Sequence, residues 1–117
     1  MEQYEIIFYE KDNGEEPALD FILGLEPKMK AKLVHILDYL KEYGPSARLP
    51  YSGPLGDGIF EIRAKQGSNI ARVLYFFVVG RKIVMTNGFV KKTQKTPKSE
   101  IELATKHRAD YERRYGL

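Results

Sequence analysis

The 117-residue sequence predicts a single α+β domain spanning 1–117, built as an antiparallel sheet with two amino-terminal helices packed on one face and a carboxyl-terminal helix. Three observations carry this reading. Strand-like and helix-like apolar periodicities occupy separate stretches of the chain, three strand-like runs follow one another with only short turns between them, and 43% hydrophobic residues suffice for one core.

The segment "YEIIFYE" (4–10) is aromatic and β-branched and breaks at "KDNGEEP", which predicts a strand and a turn. Pro17 suits a first helical position, and Leu19, Ile22 and Leu23 repeat at helical spacing up to Gly24. A second helix is expected from Pro27, with Met29, Leu33, Ile36, Leu37 and Leu40 forming its apolar stripe; Gly44 and Pro45 end it. Residues 45–58, with three prolines, read as an irregular connection. Strands follow at 59–65, 70–79 and 83–90, so the sheet is an N-terminal strand plus a three-strand meander. Thr96 as N-cap and Pro97 as first helical residue open the final helix, and the face opposite the paired helices is expected to be partly open.

Charge is unevenly spread. Residues 1–26 hold eight acids and one lysine, residues 27–90 ten bases and four acids, and residues 91–117 eight bases and four acids. Such separation favours a basic side that attracts polyanions. With no cysteine, neither a disulfide framework nor a Cys-ligated metal site is expected, and no stretch approaches the roughly 20 apolar residues of a membrane span. The start lacks the pattern of a signal peptide, so the expectation is a soluble cytoplasmic protein without a membrane role.

Arg63 and Lys65 share the polar face of one expected strand, Arg72 lies on the next, and Lys91 and Lys92 follow the third. Strands about 4.8 Å apart could gather these five cations into one phosphate-binding groove. Two other readings stay open: Arg63 pairs with Glu61, or Arg72 is a core arginine satisfied by a partner. No nucleophile elbow, phosphate loop or HExxH motif occurs, and His35 and His107 read as packing or surface residues. Acids are scarce where the strands converge, so a two-metal centre is not expected; no small-molecule cofactor is expected either. RNA supplies its own nucleophile in the 2′-hydroxyl; arginine can stabilise the crowded phosphorane and lysine can move a proton.

The stretch from 54 to 104, and within it "FEIR", "ARVLYFF" and "FVKKTQKTPKSEIELA", resembles the phage-derived HigB-like branch of the RelE/ParE toxin superfamily. The N-terminal strand and paired helices match that family's RelE-like layout too. The resemblance implies the toxin of a type II toxin–antitoxin pair, held inactive by a helix-turn-helix, HigA-like antitoxin. It implies ribosome-dependent, metal-independent mRNA cleavage that inhibits translation, with a ParE-like gyrase poison or an inactive antitoxin-binding relative as alternatives. On this likeness Arg63, Lys65, Arg72, Lys91 and Lys92 are the catalytic candidates, and Thr93, Gln94, Lys95 and Lys98 the RNA contacts. Relatives place a Tyr or His near the chain end; here Phe89 is followed by lysines, which leaves Tyr75, Tyr111 and His107 as substitutes for the general acid.

Overall fold

The computed structural model describes residues 3–48, 50–92 and 95–117. Its elements are β1 (Glu5–Phe8), α1 (Pro17–Leu23), α2 (Pro27–Tyr43), a 3-10 turn (Gly44–Ser46), β2 (Ser52–Gly56), β3 (Ile59–Gln66), β4 (Asn69–Val78), β5 (Lys82–Lys91) and α3 (Lys98–Tyr115). One five-stranded sheet runs in the order β1-β5-β4-β3-β2. No helix among the described residues is long and apolar enough to cross a membrane.

Two features differ from the expected antiparallel four-strand sheet. β1 pairs with β5 in parallel, from Glu5 opposite Lys82 to Phe8 opposite Met85. Only hairpin-linked neighbours are forced antiparallel; between β1 and β5 lie α1, α2 and three strands, so no tight turn imposes that direction. The segment read as an irregular connection contains a strand, β2, paired antiparallel with the first half of β3. Pro54 is tolerated there because β2 is an edge strand whose outer side needs no donor.

The expected apolar stripe of α2 is the one that is buried: Met29, Leu33, Ile36, Leu37 and Leu40 pack with Ala18 and Ile22 of α1 on Ile62, Ala64, Ala71, Val73, Tyr75, Ile83 and Met85. The Glu26 carboxylate caps α2 by accepting from the Met29 N–H at 3.3 Å. Gly44 ends it at φ +50, and a Cβ there would meet the Tyr4 ring at 2.4 Å. The opposite sheet face is not left bare. α3 lies on it, burying Ala104 and Tyr111 against Tyr9, Ile59, Leu74, Phe76 and Val84.

β5 carries a bulge where it passes β4: Leu74 faces Asn87 while Tyr75 faces Met85, so Thr86 is the extra residue. Its hydroxyl donates to the Leu74 carbonyl at 3.2 Å. Beyond the bulge the alternation of β5 is reversed, and Asn87, Phe89 and Lys91 share the α3 face with Val84.

Candidate functional site

Strand register sorts the polar half of the α3 face into three rows. Glu61, Leu74 and Asn87 form the first, Arg63, Arg72 and Phe89 the second, and Lys65, Ile70 and Lys91 the third. Directly paired residues point to the same side of a sheet, so four of the five candidate cations occupy two adjacent rows. Lys91 rather than Lys92 belongs to the third row because of the bulge at Thr86; without it the parity of β5 would be the other way round.

The inner part of this surface is an ion cluster. Glu61, almost fully buried, lies 3.2 Å from the Arg63 Nε and 3.5 Å from the Arg72 Nε. It also accepts a hydrogen bond from the Thr96 hydroxyl. Arg72 is completely buried, its guanidinium 5.9 Å from the centre of the Phe89 ring. A buried charge needs such company, because removing it from water without a partner is costly. Arg63 keeps some exposure, with 23% of its side chain accessible.

Around this cluster the lysines face solvent: Lys65, Lys91, Lys92, Lys95 and Lys98 are all exposed. Thr93 and Gln94 lie outside the described residues. The surface therefore joins a buried and a half-buried arginine to an exposed lysine rim, rather than lining one groove with five equivalent cations.

The start of α3 differs from expectation by one residue and in its cap. Pro97 occupies the N-cap position and the helix begins at Lys98. The Thr96 hydroxyl, expected to cap the helix, instead reaches Glu61 on β3. Asn87, not singled out by sequence reasoning, holds the first turn of α3 by donating through Nδ2 to the Glu100 carbonyl at 3.3 Å and carboxylate at 3.1 Å. The period-2 pattern of "FEIRAK" signals that Glu61 shares a face with Arg63 and Lys65, whereas nothing local in "TNG" announces the bulge.

The three candidates for a general acid all lie elsewhere. Tyr75 is buried on the α1/α2 face, its hydroxyl 2.6 Å from that of Ser52, and burial pushes it up to about 12. Tyr111 is buried edge-on against Phe76, and burial raises it too. His107 stacks on Tyr9, ring centres 4.5 Å apart, and burial lowers its pKa. None of them belongs to the three polar rows. Among the described residues no group of three or more His, Asp or Glu side chains comes together in a metal-holding arrangement.

Residues 20–109 match the family model described as Phage derived protein Gp49-like (DUF891). That span runs from within α1 into α3 and includes every residue of the polar rows. No curated protein matches the chain.

Proposed function

The chain belongs to the phage-derived Gp49-like family, and from that membership and the basic rows we propose that it is the toxin of a type II toxin–antitoxin pair. Its activity in this reading is metal-independent, ribosome-dependent cleavage of mRNA in the cytoplasm, which stops translation, and a helix-turn-helix antitoxin of the HigA-like kind holds it inactive. The observation that carries the proposal is the convergence of Lys65 and Lys91 across Ile70, next to the Arg63–Arg72 row, with Lys92 beside them. Single-stranded RNA offers phosphates at a spacing that such a rim can follow.

Burial divides the work among these residues. Lys65, Lys91 and Lys92, with Lys95 and Lys98, meet the phosphates and the attacking 2′-hydroxyl. Arg72, held by Glu61 under Phe89, organises the surface and contributes positive potential from below. Arg63 stands between, near enough to the surface to stabilise charge on the pentavalent phosphorus. A second reading, a surface that only binds and poisons gyrase, draws on the complete burial of Arg72.

Primer extension on mRNA after induction of the protein tests the proposal. Codon-phased breaks that disappear in the double variant Lys91→Ala, Lys92→Ala are expected. Growth arrest with intact mRNA and a DNA-damage response would replace the proposal with the gyrase reading. Full toxicity and unchanged breaks in the double variant, shown to be folded, would remove the lysines from the mechanism.

A further inference from the structure

A cavity of about 630 Å³ lies between α2, the residues leading into β2 and the end of β3. Ile36, Ala64 and Ile70 give it apolar walls. Its ionisable lining residues other than Tyr51 are all bases, Lys32, His35, Arg63 and Lys65, and no acid stands among the described lining residues. Arg63 and Lys65 also belong to the second and third polar rows, so the cavity adjoins the basic surface.

Tyr51 brings an aromatic ring to this lining, and its surroundings hold it in place. Its carbonyl accepts from the Arg63 N–H at 2.9 Å, and the Tyr39 ring meets its ring at 64°, centres 5.5 Å apart. Even so, 47% of the residue is exposed. The Lys32 ammonium is positioned too, donating to the Lys65 carbonyl at 2.9 Å. An anchored but accessible ring next to cations is what single-stranded nucleic acid uses, the ring for a base and the cations for its phosphates.

We propose that the cavity receives one unstacked nucleobase of the RNA, which stacks on Tyr51 while the phosphates flanking that nucleotide meet Lys32 and Lys65. The inference rests on reading the basic rows as an RNA surface, and adds to it a site for a base. The volume lies within the roughly 300–1,000 Å³ of pockets that enclose small ligands, so a base fits. Lysines grip phosphates as mobile point charges and leave the chain free to slide. A base fixed at Tyr51 sets which phosphodiester lies over Arg63, and that register is what in-line attack by a 2′-hydroxyl requires.

The test is binding of labelled hexauridylate, and of an abasic hexamer with the same phosphates, to the intact protein and to Tyr51→Leu, Tyr51→Phe and Ala31→Phe. Ala31 is an exposed position of α2 at the cavity, so phenylalanine there obstructs it while every charge stays. Tyr51→Leu and Ala31→Phe, each with an unchanged urea midpoint, are expected to bind hexauridylate about tenfold more weakly with the salt slope retained. Tyr51→Phe should bind like the unaltered protein, and the abasic hexamer should not distinguish the variants. Undiminished binding of hexauridylate by Tyr51→Leu and Ala31→Phe, with Lys91→Ala, Lys92→Ala weakened, would overturn the inference and leave the RNA surface standing. Failure of the unaltered protein to bind hexauridylate at low salt would remove both. If hexaglutamate lost as much affinity in Tyr51→Leu as hexauridylate did, the cavity would instead belong to an acidic peptide.

Discussion

The hydroxyl of Thr96 donates to the carboxylate of Glu61, tying the segment before α3 to the middle of β3. The same carboxylate neutralises part of the charge of Arg63 and Arg72, so one buried group fixes both the arginines and the entry to the last helix.

Glu61→Gln removes the anion but keeps an oxygen for Thr96. It leaves the fully buried Arg72 without its carboxylate, and a loss of about 3 kcal/mol is expected. Thr96→Val, which leaves the carboxylate in place, is expected to cost about 1–2 kcal/mol. Urea unfolding compares the two; a Glu61→Gln midpoint at or above that of Thr96→Val would mean that the arginines do not depend on Glu61.

Gly88 permits contact between α1 and β5. A Cβ there would collide with the Phe21 ring and sit 2.9 Å from the Arg72 carbonyl oxygen, so both contacts have to open. Gly88→Ala is expected to destabilise by about 2 kcal/mol, as overpacking does. Gly67, at φ +62 with nothing within 4 Å of an added Cβ, gives the comparison: there Ala meets backbone strain alone, about 1 kcal/mol. Equal thermal midpoints for the two variants would show that α1 yields freely.

Three groups where α3 meets Tyr9 set an acid and an alkaline limit. Burial lowers His107, with Lys11 adding to the effect, and the Tyr9 hydroxyl, donating to Asp110 at 2.6 Å, holds that carboxyl below its ordinary value. For both, the unfolded chain binds the proton more readily, so their contribution is present above the unfolded pKa and is lost as pH falls through the folded one. Tyr9, pushed up to about 12 mainly by burial, acts in the opposite sense: its contribution is complete below about 10 and lost as pH rises through about 12. Urea midpoints between pH 4 and 7 should therefore fall with acid, and less steeply in His107→Phe, which keeps the stacking on Tyr9. An unchanged slope in that variant would assign the acid limit to other groups.

How much of this was legible in the sequence follows from the range of the forces involved. The α2 stripe and the strand pattern of "FEIRAK" are local and were readable, because burial of one face imposes its own period. β2 was not: Gly53, Pro54 and Gly56 are poor strand formers, and only pairing with Phe60, Glu61 and Ile59 makes them a strand. The parallel partnership of β1 with β5 and the bulge at Thr86 depend on segments that meet only in the fold, yet the bulge decides that Lys91 rather than Lys92 stands in line with Lys65. The pairing of Glu61 with Arg63 was one of two open readings, and the burial of Arg72 the other; the structure contains both.

The rim lysines should be distinguishable from the buried arginine by salt. Binding to single-stranded RNA weakens as log salt rises, with a slope of about 0.7 for each phosphate neutralised. Lys65→Ala, Lys91→Ala and Lys92→Ala should each reduce the slope measured with a labelled oligonucleotide by about that amount, with little change in stability, since all three are exposed. Arg72→Met fills the same buried space without charge; it should alter stability and the position of Thr96 while leaving the slope nearly unchanged. If Arg72→Met lowered the slope as much as a lysine variant did, the arginine would have to reach phosphate itself, and Thr96 would have to leave Glu61 when RNA binds.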